Sequence, residues 1–211
     1  GVSRRIKTGE RISGDNFAFI EGNENKAVIA LSDGMGSGLL ASQESEMVIE
    51  LIEQFMEAGF CKETAARMIN SSMVTNSGTQ LYSTIDISEI DLRTGICEFL
   101  KVGAAATYIK RGRWVETIQS TSLPAGIFQQ TDFEKTCRKL YDGDMVIMVT
   151  DGVLDVLPVE HQEKLMKDII LEHPTNNPKE LADYILDRVR QYKNGRFLDD
   201  MTVLVMGIWK R

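Results

Sequence analysis

Two short, unbroken apolar runs set the pattern of the chain. Ala27-Val28-Ile29-Ala30-Leu31 leads into Ser32-Asp33-Gly34, and Met145-Val146-Ile147-Met148-Val149 leads into Thr150-Asp151-Gly152. Runs this short predict buried strands, each delivering a carboxylate at its end, with glycine beyond it to let backbone approach closely. A third run, Met201 to Trp209, follows Asp199-Asp200 and closes the chain as another buried strand. Elsewhere the period changes. From Leu39 to Met56, Val48, Leu51, Ile52 and Phe55 recur at helical spacing, with Glu44, Glu46, Glu50 and Glu53 expected on other faces. Gly59 is the expected stop, and Lys62 to Met73, with Ala65, Ala66, Ile69 and Met73 inward, predicts the second helix of a hairpin. Met47, Met56, Met68 and Met73 are expected to fill the core.

The intervening stretches read as β structure. Phe17 to Ile20 predicts a strand, and the turn-rich Glu21 to Asn25 joins it to the first buried run as a hairpin. Asp15 then opens one strand where Asp33 closes its antiparallel neighbour, so the two carboxylates share an edge. After a polar loop at Thr75 to Gln80 come strands at Tyr82–Leu92, Ile96–Val102, Ala105–Lys110, Trp114–Ile118 and Phe133–Leu140. Turns fall at Arg93-Thr94-Gly95, Arg111-Gly112-Arg113 and Tyr141 to Asp144, and Ser122 to Gly126 is a connector. Val159 to Glu172 is helical, and Asn177-Pro178 caps a helix through Tyr192 with Leu181, Ile185 and Val189 as its stripe. Asn194-Gly195 should end it, and Arg196 to Leu198 forms a loop. Two batches of strands, each followed by helices, predict an α+β fold of packed antiparallel sheets with helices outside. Too many tight turns join the strands for an alternating parallel fold. No linker-like stretch interrupts the chain, so residues 1–211 read as one domain.

Composition narrows the function. With 43% hydrophobic and 26% charged residues the chain is ordinary globular protein, and a net charge of −7 argues against nucleic acid as a partner. A phosphorylated ligand must therefore be drawn in locally, by a cation or a small basic patch. Arg4, Arg5, Lys7 and Arg11 make a basic opening that reads as a solvated arm, with a phosphate-facing role open for one of them. Cys61, Cys97 and Cys137 show no metal-type spacing and are expected as reduced thiols in a cytoplasmic setting. His161 and His173 form no zinc pattern and are expected at the surface. No leader or bilayer-crossing run is present, so no membrane contact is expected of this domain itself. The chain begins at Gly1 rather than Met, which reads as a piece excised from something longer, and a membrane anchor in that parent stays open.

The chemistry lies in the aspartates. Asp15 and Asp199 open strands while Asp33 and Asp151 close them, so an antiparallel arrangement can gather all four at one rim. Bare carboxylates at that range repel one another unless a cation lies between them. Oxygen ligands with no His or Cys nearby favour Mg²⁺ or Mn²⁺ over Zn²⁺. Two such ions can clamp phosphate oxygens and lower the pKa of a bridging water, which predicts phosphomonoester hydrolysis by metal-bound hydroxide. The competing view of each Asp is a plain turn former. An aspartyl-phosphate mechanism wants an Asp two residues beyond the nucleophile, and neither Asp33 nor Asp151 has one. A catalytically weak phosphatase-like regulatory or binding module is the remaining alternative.

Asp15, Asp33-Gly34, Asp151-Gly152 and Asp199-Asp200-Met201-Thr202 stand in the order seen in metal-dependent protein phosphatases of type 2C, the PPM family, and the chain resembles that family throughout. Ser13-Gly14-Asp15-Asn16, Ser32-Asp33-Gly34-Met35-Gly36, Tyr82-Ser83-Thr84, Phe99-Leu100-Lys101-Val102-Gly103, Ile109-Lys110-Arg111-Gly112 and Leu123-Pro124 make it most similar to the family's stage II sporulation branch. The resemblance implies a β-sandwich flanked by helices on both faces (αββα) and a two-metal site. In that site Asp33 bridges both ions, the Gly34 carbonyl binds one, Asp151 and Asp199 bind the other, and Asp15 acts through bound water. Asp15 and Asp33 are thus the catalytic candidates. It also implies a phosphoserine substrate on an anti-anti-sigma factor that governs a sporulation sigma factor, and a helical hairpin (Leu39 to Met73) that switches metal binding. A homodimer stays open. Two positions depart from the family pattern: Arg11 lies at unusual spacing for a phosphate-binding arginine, and Asp200 stands where Asn is usual, which leaves Asp200 as the fallback to Asp199.

Overall fold

The computed structural model describes residues 1–22, 25–75, 82–129, 133–192 and 197–210. In chain order its elements are β1 (Val2–Arg5), β2 (Asp15–Gly22), β3 (Lys26–Asp33), α1 (Gly38–Glu57), α2 (Lys62–Thr75), β4 (Ile85–Asp91), β5 (Ile96–Val102) and β6 (Thr107–Arg111). They continue as β7 (Trp114–Ile118), β8 (Glu134–Lys139), β9 (Met145–Val149), α3 (Asp151–Leu154), α4 (Gln162–Glu172), α5 (Pro178–Arg190) and β10 (Met201–Gly207). The fold is α+β, with two antiparallel five-stranded sheets and their helices. Two compact units interleave along the sequence: Gly1–Arg11, Ala105–Gln119 and Leu140–Arg211 form one, and Ile12–Ala104 with Ser120–Lys139 the other.

The second unit holds the sheet β2-β3-β4-β5-β8. The expected hairpin is present, longer than its apolar residues suggested, and its register sets Asp15 directly opposite Asp33. Val48, Ile52, Ala66, Ile69 and Met73 of α1 and α2 pack on Ala18, Val28, Ala30, Ile85, Ile87 and Leu100 of the sheet. Each large aliphatic side chain so buried contributes about 2 kcal/mol. Gly59 stops α1 as its sequence position suggested, with φ +84° and an N–H that donates to the Met56 carbonyl. Two expectations are corrected. Glu44 lies on the buried face of α1, not on the solvent side, because its carboxylate serves a backbone N–H. Met68 is exposed, since α2 turns only Ala65, Ala66, Ile69 and Met73 of its apolar residues fully inward.

The first unit holds the sheet β1-β10-β9-β6-β7. Leu181, Ile185 and Val189 of α5 are fully buried against it, in one cluster with Val149, Val203 and Val205. Asn177 caps α5 as expected, its side chain accepting the N–H groups of Lys179 and Glu180. The expected solvated arm is in part a strand: Val2–Arg5 pairs with β10, because Ser3 turns inward and the backbone completes the sheet edge. Asp151-Gly152 opens the single-turn helix α3, not a bare turn. A 3-10 turn at Val159–His161 precedes α4. His173 is half-buried and stacks on Tyr184 at 4.5 Å, whereas His161 is exposed. All three cysteines are free thiols. Among the described residues no helix is long and apolar enough to cross a membrane. Thr75, expected to open a loop, is the last residue of α2; the rest of that loop through Gln80, the helix stop at Asn194-Gly195 and the middle of the Glu21 to Asn25 turn lie outside the described residues.

Candidate active site

In the second unit the end of β3 is fixed by hydroxyls. The Ser83 hydroxyl donates to the Asp33 carbonyl at 2.7 Å, and the Thr84 N–H donates to the same oxygen at 2.9 Å. The Asp33 N–H in turn donates to Thr84 Oγ1 at 2.9 Å. Ser32 joins the set, within 2.8 Å of Ser83 Oγ and donating to the Thr84 carbonyl at 2.7 Å. The backbone of Asp33 is thus spent on protein partners while its side chain is only partly buried. Opposite it, Asp15 is wholly buried, and its N–H donates to Ser13 Oγ at 3.2 Å.

Gly34 has no room for a side chain. A Cβ there would sit 2.0 Å from the Ala41 carbonyl oxygen, so α1 rests directly on the residue after Asp33. The Gly34 N–H donates to the Gly14 carbonyl at 3.1 Å, and the Met35 N–H donates to the Tyr82 carbonyl at 2.9 Å. Tyr82-Ser83-Thr84 stood out in the sequence only as part of a resemblance; the hydroxyl spacing around Ser32-Asp33 is the signal that marks it as the brace of this strand end.

The first unit brings together a second pair. Asp151 is exposed at the start of α3, and Gly152 behind it is as tightly placed as Gly34: an added Cβ would meet the Asp200 carbonyl oxygen at 2.0 Å and Asp199 Cβ at 3.2 Å. The Asp199 carboxyl is raised above its usual range, first by burial and further by the negative charge of Asp151. The Asp200 N–H, donated to Asp199 Oδ1 at 3.0 Å, and the charge of Lys7 oppose this without cancelling it. Asp200 faces another task. It is buried, and its Oδ1 accepts the Lys7 N–H at 2.9 Å. Lys7 of the basic opening reaches this pair, while Arg11 is exposed.

The donors present are carboxylates and backbone carbonyls, a hard-oxygen set suited to Mg²⁺ or Mn²⁺. The raised pKa of Asp199, and the tight glycine contacts beside Asp33 and beside Asp199, fit residues arranged to receive positive charge. Among the described residues no three His, Cys, Asp or Glu side chains already form a cage for an ion. The acidic groups come as one pair in each unit.

The family model "Stage II sporulation protein E (SpoIIE)" matches residues 23–209. Stage II sporulation protein E of Bacillus subtilis (strain 168) is 38% identical over 209 residues, which is 99% of this chain and 25% of that protein. Phosphoserine phosphatase RsbU of the same organism is 20% identical over 201 residues, 93% of this chain and 60% of that protein. The solved PP2C phosphatase domain of Bacillus subtilis SpoIIE, with a fragment of its regulatory domain, superposes with a TM-score of 0.92 at 37% identity. It covers 100% of this chain, and this chain covers 63% of it. The chain spans about a quarter of the full-length curated relative.

Proposed function

This chain belongs to the stage II sporulation protein E family, and from that premise we propose that it is a metal-dependent protein serine phosphatase using two Mn²⁺ or Mg²⁺ ions. The observation that carries the reading is the pairing of carboxylates at strand ends: Asp15 opposite Asp33, and Asp199 raised by burial and by Asp151. A hard cation relieves both. Asp33 and the Gly34 carbonyl serve one ion, Asp151 and Asp199 the other, and Asp15 supports the first through water. The Asp200 side chain is taken up by Lys7, which favours Asp199 as the ligand of that sequence pair. When bound, the ions supply Lewis acidity and an activated water. The chain's own contribution is orientation. Ser83 and Thr84 hold the Asp33 backbone so that its carboxylate meets an ion without reorganisation.

The substrate is a phosphoserine on an anti-anti-sigma factor, in keeping with the family and with the phosphoserine phosphatase named among the relatives. A net charge of −7 makes cations at the site the natural means of receiving a phosphorylated partner. The test is incubation of a phosphorylated anti-anti-sigma factor with the chain and Mn²⁺, followed by measurement of released phosphate. Release is expected with Mn²⁺ and absent in EDTA. Asp33→Asn should lower it by more than about a hundredfold, because even supporting residues around a metal cost ten to a hundredfold. Turnover that persists in EDTA would overturn the metal reading. Hydrolysis of small phosphoesters with no action on the phosphoprotein would overturn the substrate.

A further inference from the structure

Glu44 is a carboxylate in an unusual place. It lies in α1 one turn beyond Ala41, is only 9% exposed, and accepts the backbone N–H of Tyr82. Among the described residues its Oε2 has no hydrogen-bond partner. A buried carboxylate with one empty oxygen costs free energy, so what it holds calls for a reason. The Tyr82 carbonyl accepts the Met35 N–H at 2.9 Å. That N–H belongs to the same planar peptide unit as the Gly34 carbonyl. Because the two bonds of a trans peptide point in opposite directions, anchoring the Met35 N–H on Tyr82 aims the Gly34 carbonyl the other way.

We infer that Glu44 is a positioning residue for the Gly34 carbonyl, acting through the backbone of Tyr82, whose N–H it accepts and whose carbonyl receives the Met35 N–H. The inference rests on the metal-site reading given above. It extends that reading to a side chain that touches neither metal nor phosphate. Two contacts tie α1 to this peptide: Ala41 bears on the Gly34 Cα position, and Glu44 holds Tyr82. The first limits where Gly34 can sit and the second fixes how the Gly34–Met35 peptide is turned. Ser45 adds a third tie from the same helix, its hydroxyl accepting Asn16 Nδ2 at 2.8 Å beside Asp15.

The test compares Glu44→Ala, which removes the acceptor, with Glu44→Gln, which keeps a carbonyl oxygen for the Tyr82 N–H. Mn²⁺ binding is measured by calorimetry, phosphate release as a function of Mn²⁺, and amide exchange in the metal-free protein. Glu44→Ala is expected to weaken Mn²⁺ binding by about tenfold, with activity largely recovered at saturating Mn²⁺. Its Met35 and Tyr82 amides should exchange faster, while amides of β4 and β5 keep their protection. Glu44→Gln should restore all three. Equal Mn²⁺ binding in Glu44→Ala and the parent, or equal loss in Glu44→Gln, would overturn the inference. Should Glu44→Ala not fold, exchange in the parent chain decides: unprotected Met35 and Tyr82 amides overturn the proposal and slow ones support it. A parent chain that binds no Mn²⁺ would instead sink the underlying metal reading.

Discussion

Asp199 and Asp200 adjoin in sequence, yet the structure gives them opposite tasks. Asp199 stands under burial and the charge of Asp151, whereas Asp200 ties Lys7 to the start of β10. Asp199→Asn should therefore raise the melting temperature of the metal-free protein, because it removes a repulsion, and should abolish the gain in melting temperature that Mn²⁺ gives the parent. Asp200→Ala leaves the Lys7 N–H without its acceptor and should cost about 1–3 kcal/mol, read as a lower urea midpoint. From the sequence alone both residues follow the same loop and precede the same strand, and only the family pattern favoured the first. Glu44 was misplaced for a related reason. Helical spacing marks a face, but it cannot tell that a carboxylate on the inner side will be retained to serve a backbone N–H.

The long, strongly periodic elements were legible. Ala65, Ala66, Ile69 and Met73 of α2 and Leu181, Ile185 and Val189 of α5 are buried as their spacing predicts, Met68 alone of the residues expected inward there being exposed, and β5 and β7 carry the predicted bounds. What escaped were the shortest pieces. Val2–Arg5 carries two arginines in four residues and shows no apolar alternation, so nothing local announces a strand; pairing with β10 makes it one. Asp-Gly reads as a turn because glycine is a poor helix former, whereas here the Asp151 carbonyl accepts the Asp155 N–H in the single turn of α3 and Gly152 is needed where it passes close to the Asp200 carbonyl. The same tightness governs α1. Gly34→Ala places a methyl 2.0 Å from a backbone oxygen that no side-chain rotation can clear, so α1 must back away. Faster amide exchange through the first turns of α1 and loss of Mn²⁺-dependent turnover are the expected results.

For the molecule as a whole, the α+β class and antiparallel sheets followed from strand lengths and turn chemistry. The interleaving of two units did not, because no proline-rich or polar linker marks where the chain leaves one for the other. Acid stability depends on how α2 is fastened. Lys62 is buried and ion-paired with Glu98 and, at 3.5 Å, with Glu89, while Lys135 pairs with Glu63 at 2.6 Å. Burial alone would raise the Glu63 carboxyl, but the hydrogen bond from Lys135 and the charges of Lys62 and Lys135 outweigh it and hold it at about 2. A carboxyl depressed in the folded state stabilises above its ordinary value of 4.5 and loses that contribution as pH falls toward 2. Glu63→Gln should accordingly have a lower urea midpoint than the parent at pH 7, with the gap closing near pH 2.

The pairing of β1 with β10 also governs the order of events during synthesis. Val2 finds its partner only in Leu204, about two hundred residues later, while β2 to β5 come from one continuous stretch. On the ribosome, the hairpin carrying Asp15 and Asp33 can therefore form early. The sheet that brings Asp199 to Asp151 waits for the last strand to emerge.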